Sequence, residues 1–426
     1  MTEIIKQISA AEFSADNLTH SIDATTLAQS QAIVDRVRAE GLAGIRHFAT
    51  EFGERTADQP IQIERAELEA ASKRVTAADL ALLERVAGRI EAFATAQLNS
   101  ISEISVPVPG GTAGHTIEPI RSAGCYAPAG RFALPSTVLM TAVTAKVAGC
   151  QRVVVASPNP TDIMMASAFV AGADSMLAIG GAHAIAAMAY GVHSFEGFEG
   201  FERCDVIAGP GNRWVTAAKK IVSGDCGIDM LAGPSELALV ADGSSDPAMI
   251  AADLLAQAEH DVDARPFLIL TDHSIADAVN AQLESQLKEL PGEEVARQSL
   301  ANNGAMVICD NVEQAIEICN RLAPEHLELH LADAESVAEQ IHHAGCIFIG
   351  HQSAEVFADY GVGPNHTLPT AGTARFTAGL NVFTFLRIRT WLKLDSAPQS
   401  LIDDTARLAE IEGLIGHQRS GLKRQR

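Results

Sequence analysis

Residues 152–190, RVVVASPNPTDIMMASAFVAGADSMLAIGGAHAIAAMAY, alternate short apolar runs with alanine-rich segments. This pattern predicts strands over Val153–Ala156 and Met176–Ile179, each followed by a helix, at 162–171 and 183–190. Parallel strands need a crossover connection between them, and a helix is the usual one. The alternation therefore indicates an α/β protein with a mostly parallel, doubly wound sheet.

The same alternation continues along the chain. A strand at Val206–Ala208 and a helix at 213–222 extend the first run. The second run, which begins near Leu237, has predicted strands at Leu237–Val240, Phe267–Leu270, Met306–Cys309, Leu327–Leu329 and Cys346–Ile349. Its predicted helices lie at about 246–260, 273–289, 311–322 and 334–342. Two Rossmann-like units are therefore expected, with mostly helical residues before about 100 and a helical segment at 399–418.

Composition narrows the class of protein. The 426 residues are 47% hydrophobic and 20% charged, which is typical of a folded chain, and the length predicts more than one domain. The formal net charge of -22 makes sequence-independent binding of nucleic acid improbable, because such a body repels phosphates. The uncharged stretch Ser175–Val192 is long enough for a membrane span, but its glycines and alanines favour a strand, a turn and a helix.

Cysteine usage and the first residues bear on the compartment. The seven cysteines are odd in number and widely spaced, and no CxxC pair occurs, which favours buried free thiols over a zinc ribbon or disulfides. The N-terminal residues show no pattern of a signal peptide. We therefore expect a cytoplasmic protein with neither a nucleic-acid nor a membrane partner.

Three segments carry residue types that are common in functional sites. Gly209–Asn212 lies between a strand and a helix, where it forms either a ligand site or an ordinary tight turn. Gln257 and His260 share one helix face, and His260 and Asp359 are possible zinc ligands, although a structural role for His260 is the more common case. Glu325 and His326 could exchange protons near neutral pH if a turn brings them together, or they could be two surface residues.

Taken together, several segments resemble the histidinol dehydrogenase family, in the family's order, over residues 30 to 418. They are GCYAP (124–128), LPSTVLM (134–140), GPGN (209–212), IDMLAGPSE (228–236), the helix with Gln257 and His260, APEHLE (323–328), GPNHTLPT (363–370), EGL (412–414) and His417. The resemblance implies a zinc enzyme that oxidises L-histidinol through L-histidinal to L-histidine with two NAD, as the last steps of histidine biosynthesis.

The resemblance also implies a role for each matching residue. Gln257, His260, Asp359 and His417 match the ligands of one Zn²⁺ per subunit, and Glu325 and His326 match the general acid/base pair. Residues matching the family's substrate contacts are Ser235, His366 and Glu412 together with the ligands and the acid/base pair. Tyr126, His183 and Asn212 occupy the positions of the NAD contacts.

The family's architecture gives expected boundaries. They are an N-terminal arm over 1–25, a first α/β domain over 26–123 with 237–375 that holds the zinc and catalytic residues, an incomplete Rossmann-like NAD domain over 124–236, and a helical arm over 376–426. Family members are homodimers, so the resemblance implies that the arm with Glu412 and His417 completes the partner's active site.

The sequence departs from the family pattern in the cofactor half. His183 stands where the family usually has glutamine, Ala129 replaces the first of two glycines, and the loop 194–202, with its repeated FEG unit, is longer than usual. Three rival functions remain at this stage. They are a paralogue that oxidises another small alcohol such as a sulfonated diol, a zinc-dependent hydrolase, and a non-catalytic binding protein.

Overall fold

The computed structural model describes residues 4–14, 22–129, 133–193 and 200–425. Most of the loop with the FEG repeat, and Gly130 beside Ala129, lie outside these residues. In the described part of the chain, helices alternate with strands that form two large, mainly parallel sheets and one small antiparallel sheet. The predicted α/β class is confirmed.

The described strands, in chain order, are β1 (Lys6–Ser9), β2 (Gln62–Glu64), β3 (Ile104–Val108), β4 (Gly111–Pro119), β5 (Ser122–Tyr126), β6 (Arg152–Ala156), β7 (Ser175–Leu177), β8 (Val206–Ala208), β9 (Gly227–Ile228), β10 (Glu236–Ala241), β11 (Arg265–Leu270), β12 (Ala305–Ile308), β13 (His326–His330), β14 (Cys346–Ile349) and β15 (Leu386–Leu394). Every strand predicted from the alternation is present within two residues of its expected bounds.

The described α-helices are α1 (Ala24–Glu40), α2 (Leu42–Glu51), α3 (Arg65–Ser72), α4 (Ala77–Leu98), α5 (Pro135–Ala148), α6 (Asp162–Val170), α7 (Gly181–Tyr190), α8 (Arg213–Val222), α9 (Pro247–Ala258), α10 (Ala276–Leu287), α11 (Glu293–Asn303), α12 (Val312–Leu322), α13 (Ala334–Ala338), α14 (Glu355–Asp359), α15 (Gln399–Ile411) and α16 (Ile415–Leu422). Short 3-10 turns cover His273–Ile275, Thr373–Arg375 and Val382–Phe385.

The first large sheet has the order β1-β12-β11-β10-β13-β14, and all its pairs are parallel. We call it the catalytic sheet because its strand β13 begins at the expected acid/base pair, Glu325 and His326. Alternate residues of its strands face opposite layers of helices. Leu237 and Leu239 join the apolar cluster with α9, whereas Ala238 and Val240 join the cluster with α12. Burial on both faces explains why these strands are continuous apolar runs in the sequence.

The second large sheet has the order β2-β7-β6-β5-β8-β9. We call it the cofactor sheet because Tyr126, at the end of β5, is one of the expected NAD contacts. Only its edge strand β2 is antiparallel. The uncharged stretch noted in the sequence forms β7 and α7, and eight of the ten residues of α7 are buried. Among the described residues, no helix is both long and apolar enough to cross a membrane.

The sheets divide the chain differently from the expected domains. We expected 26–123 to accompany 237–375, but β2 pairs with β7, and α1, α3 and α4 pack against helices of the cofactor sheet. We also expected 1–25 to be a separate arm, yet β1 extends the catalytic sheet beside β12. The sequence could not show this, because β2 has only three residues and an amphipathic helix does not reveal which sheet it covers.

The C-terminal segment also differs from the expected helical arm. Before α15 and α16 it contains the nine-residue strand β15, which pairs with β4 along its whole length. With β3 these strands form a separate antiparallel sheet. Ile388 and Leu392 on β15 are each 65% exposed, so the strand offers apolar side chains to the outside of this chain.

A buried ion pair holds the turn after β8. Lys219 on α8 and Asp229 after β9 are 2% and 0% exposed, and the Lys219 ammonium group donates to the Asp229 carboxylate and to the carbonyl of Gly209. The other Asp229 oxygen accepts the N–H of Gly209 at 2.7 Å. Gly209 has φ +121°, and a Cβ there would overlap the carbonyl oxygen of Tyr126. Glycine and the ion pair together fix this turn.

Removing one member of the pair should therefore destabilise the protein. We expect Lys219→Met to lower the free energy of unfolding by about 3–5 kcal/mol, because it leaves the Asp229 carboxylate buried without a cation. Urea unfolding followed by circular dichroism, at matched protein concentration, measures the change. The control is Lys220→Met on the exposed neighbour. Equal midpoints for the two variants would contradict a structural role of the pair.

Candidate active site

Glu325 lies immediately before β13 and is buried. Its Oε2 accepts hydrogen bonds from the Ser235 hydroxyl at 2.7 Å and from the Glu236 N–H at 2.9 Å. Burial raises the pKa of the Glu325 carboxyl well above its ordinary value, although these two hydrogen bonds oppose the shift. A carboxyl whose pKa is raised in this way is, when ionised, a stronger base than an exposed glutamate.

His326 is the first residue of β13, and its imidazole is oriented by two neighbours. Nδ1 lies 3.3 Å from the Glu236 carbonyl oxygen and 3.3 Å from Glu355 Oε2. A carbonyl can only accept, so Nδ1 carries the proton and Nε2 has the free lone pair. Nε2 has no hydrogen-bond partner among the described residues. Burial lowers the pKa of His326 to about 4, which keeps the imidazole neutral.

The side chains of Glu325 and His326 lie close to each other. Glu325 Oε2 and His326 Nδ1 are 3.8 Å apart, because Glu325 precedes the strand and escapes its alternation. The sequence left open whether a turn brings the two residues together, and in the structure their side chains lie close to each other. Both residues lie at the amino edge of the catalytic sheet, and β10 begins beside them because Leu237 is in register with His326.

Two of the predicted metal ligands lie next to this pair. His260, just after the end of α9, has Nε2 4.0 Å from Oδ2 of Asp359, the last residue of α14. With Glu355 they form a group whose ligand atoms all lie within 4.8 Å of one another. Glu355 was missed at the sequence level, because nothing distinguishes it from other glutamates that begin helices.

Gln257 is fully buried on the last turn of α9. Its Oε1 lies 3.5 Å from the Ser235 hydroxyl, and its Nε2 has no hydrogen-bond partner among the described residues. A buried amide nitrogen without a hydrogen-bond acceptor raises the free energy of the folded protein unless another group accepts its hydrogen bond. Gln257 is therefore near the Ser235–Glu325 pair, on the same helix turn that leads to His260.

His366 connects the two large sheets. Its Nδ1 lies 3.0 Å from the Asp359 carbonyl oxygen, and its Nε2 lies 3.3 Å from the hydroxyl of Thr137 on α5. Burial lowers the pKa of His366. Thr137 belongs to the first turn of the helix that follows β5, so the cofactor sheet and the residue next to the His260–Asp359–Glu355 group are joined through this contact.

The structure keeps Glu412 and His417 apart from these residues. Both side chains are exposed, Glu412 after α15 and His417 on α16. His417 is absent from the metal-ligand groups found among the described residues. Within one chain, therefore, three of the four expected ligands lie near the site, and the fourth does not take part.

The residues expected to contact a cofactor lie at the carboxyl edge of the cofactor sheet. Tyr126 ends β5 with 3% exposure, and its hydroxyl accepts the N–H of Gly181 at 3.1 Å. Burial raises the pKa of this hydroxyl to about 12. His183 is fully buried, with Nε2 2.9 Å from Glu54 Oε2, which also accepts the N–H of Gly180 at 3.0 Å.

These contacts occupy the amino end of α7. Glu54, which the sequence did not single out, balances the partial positive charge of that helix end and holds His183 inside the protein. In this conformation the His183 ring cannot touch a ligand. Asn212 is exposed, and its Oδ1 caps α8 by accepting the N–H groups of Trp214 and Val215.

Comparison with known proteins identifies the family of this chain. The model of the family described as histidinol dehydrogenase matches residues 18–425. The chain belongs to the histidinol dehydrogenase family. Members are oxidoreductases, so the resemblance found in the motifs, and the expectation of an enzyme, are confirmed.

Individual relatives match this chain over 73% to 100% of its length. The histidinol dehydrogenase of Dechloromonas aromatica is 41% identical over 396 residues, covering 91% of this chain and 90% of that protein. That of Thermus thermophilus is 47% identical over 313 residues, covering 73% and 74%. The crystal structure of histidinol dehydrogenase from Elizabethkingia anophelis superimposes with a TM-score of 0.90 at 30% identity, covering 100% of this chain and 98% of that one.

Proposed function

We propose that this chain oxidises L-histidinol through L-histidinal to L-histidine with two NAD, using one Zn²⁺ per subunit, as the final steps of histidine biosynthesis. The observation that supports this proposal most directly is that Glu325 and His326 lie close together beside the His260–Asp359–Glu355 group. Each relative named above is called histidinol dehydrogenase, which supports this substrate over another small alcohol. A metal-dependent hydrolase would not need the cofactor sheet.

The residues at the site fit a zinc ion. His260 and Asp359 offer an imidazole nitrogen and a carboxylate oxygen, which are common zinc donors, and Gln257 Oε1, 3.5 Å from the Ser235 hydroxyl, offers an amide oxygen. We propose Gln257, His260, Asp359 and the His417 of a partner subunit as the ligand set, with Glu355 beside it. Bound Zn²⁺ supplies a Lewis acid that fixes the imidazole and amine of the substrate.

His326 is proposed as the base for the alcohol. Its neutral imidazole accepts the hydroxyl proton at Nε2, while the carbon-bound hydrogen leaves as hydride. Nδ1 keeps its own proton, held by the Glu236 carbonyl, and the carboxylate of Glu355 stabilises the imidazolium that forms. NAD, when bound, supplies the hydride acceptor for both oxidations.

Glu325 is proposed as the base for the aldehyde. Its carboxylate takes a proton from the water that adds to the carbonyl carbon, and the raised pKa makes it a stronger base than an exposed glutamate. The Ser235 hydroxyl and the Glu236 N–H hold Oε2 in place, so the carboxylate is already oriented before substrate binds. Ser235, His366 and the partner's Glu412 are proposed to hold the substrate.

The NAD side is proposed to use Tyr126, Asn212 and the turn before α7. Because His183 is buried against Glu54, we propose that it fixes the Gly180–Gly181 turn instead of touching the cofactor directly. Ala129 pairs with Ala133 in an isolated β-bridge. Its Cβ, which a glycine would lack, would reduce the space for a cofactor at the same edge of the sheet. Cofactor affinity is thus the property in which this chain should differ most from its relatives.

We also propose a homodimer with shared active sites. Several apolar side chains on β15 and α15 are exposed. Ile388, Leu392 and Ile411 are each 65% exposed, and Leu408 is 59% exposed. Exposed apolar surface on a soluble protein often marks an interface when it forms a large patch. Placing this face against a second copy would bury it and bring Glu412 and His417 to the partner's incomplete ligand set. All seven cysteines are free, which fits the proposed cytoplasmic setting.

Substitutions at the acid/base pair should separate the two oxidations. We expect His326→Asn to lower kcat for histidinol by about 10²–10⁴-fold, and Glu325→Gln to lower kcat for histidinal by a similar factor. Formation of NADH in a stopped-flow spectrometer measures both. His342→Asn and Glu339→Gln, on exposed side chains, are the matched controls. Unchanged turnover of both substrates by Glu325→Gln would refute the assigned chemistry.

Mixed dimers test whether the sites are shared. Neither Glu325→Gln nor His417→Ala homodimers should be active. In a dimer of one chain of each kind, one site combines an intact Glu325 with the partner's intact His417. Random mixing by co-expression should therefore restore about a quarter of the wild-type activity. No recovery in isolated mixed dimers would show that each chain completes its own site.

A further inference from the structure

A second group of metal-ligand side chains lies on the same sheet, outside the proposed active site. We propose that Asp253, Glu328 and His330 bind a second divalent ion of the Zn²⁺ class, with a structural role. His330 Nε2 is 3.7 Å from Asp253 Oδ2 and 3.6 Å from Glu328 Oε2. One ligand atom from each of the three residues lies within 4.8 Å of the other two.

The imidazole of His330 in this second group lacks an ordinary partner. His330 is 1% exposed, yet neither ring nitrogen has a hydrogen-bond partner among the described residues. Distances of 3.6 and 3.7 Å are too long for hydrogen bonds. Buried polar atoms are nearly always satisfied, so an imidazole aimed at two carboxylates without bonding them points to an ion between them.

Backbone geometry gives a reason for the arrangement. His326, Glu328 and His330 alternate along β13 and share the face opposite to Leu327 and Leu329, which pack in the cluster with α12. Asp253 and Gln257 are four residues apart on α9 and share its face. The strand and the helix that carry the proposed active site therefore also carry the second group. Asp253 lies one helical turn before Gln257 on α9, and Glu328 and His330 follow His326 on β13.

Charge favours a cation at this position. One carboxyl oxygen of Asp253 and one of Glu328 lie within 4.8 Å of each other, and both side chains are largely buried. No Lys or Arg forms an ion pair with either carboxyl among the described residues. A divalent ion would neutralise both carboxylates, and one imidazole with two carboxylates leaves a further position for water, as in many zinc sites.

The position also explains what the ion would do. Oε1 of Glu328 accepts the N–H of Glu355 at 2.6 Å, at the start of α14. That short helix ends with Asp359, a proposed ligand of the active-site zinc. An ion on Oε2 would fix the Glu328 carboxylate and, through it, α14. His351, whose ring centre is 5.7 Å from that of His330, lines an open groove through which an ion could enter.

Counting bound metal tests the proposal. Protein stripped with a chelator, reloaded with Zn²⁺ and desalted should contain two ions per chain by plasma mass spectrometry. His330→Gln should retain one ion and keep the active-site zinc, whereas His260→Asn should lose the active-site ion and keep the second. His342→Gln, which changes an exposed histidine, should retain both. Because each site is removed separately, failure of one assignment does not affect the other.

Two results would overturn the second site. One is a single ion that His260→Asn removes and His330→Gln leaves in place. The other is two ions per chain that both survive His330→Gln. If His330→Gln is poorly folded by circular dichroism, Asp253→Asn, which conserves volume, replaces it with the same expected loss of one ion. Loading with Co²⁺ in place of Zn²⁺ and counting the bound ions in the same way repeats the test with a second metal of the same class.

Discussion

The parallel pairing of β10 with β13 is the contact on which the proposed active site depends. This register sets Leu237 beside His326, so the residues just before β10 lie against those just before β13. Ser235 and the Glu236 N–H then bind the Glu325 carboxylate, and the Glu236 carbonyl fixes the proton of His326. A shift of one residue would turn every side chain to the other face and separate these groups. The acid/base pair is thus oriented by backbone hydrogen bonding.

Burial then gives these groups their chemical properties. The Glu236 side chain is itself fully buried, which raises its pKa to about 7, and its Oε1 accepts the Ala371 N–H at 2.5 Å. Glu325, Glu355 and Asp359 crowd the same space, and each buried carboxylate raises the free energy of its neighbours. A cation at His260 and Asp359 would relieve this repulsion. The excess of carboxylates over cations at this edge is the physical reason to expect metal binding there.

The sequence predicted the central strands of both large sheets, such as β6, β10 and β11, because they are buried and appear as apolar runs. It did not predict β2 or β15, since a three-residue edge strand and an exposed strand lack that signal. At the site, Glu325 and His326 stood out as an adjacent pair of titratable residues. Glu54, Glu355 and Thr137 did not, because their importance comes from contacts with residues far away in the chain.

The central claim is a four-electron, zinc-dependent oxidation by residues of both sheets. The most direct measurement is the NADH formed per L-histidinol consumed by the purified protein with excess NAD. The account predicts two NADH per histidinol, with the activity lost on treatment with a chelator and restored by Zn²⁺. No NADH from histidinol while zinc remains bound would contradict the account, and the search would then turn to other small alcohols.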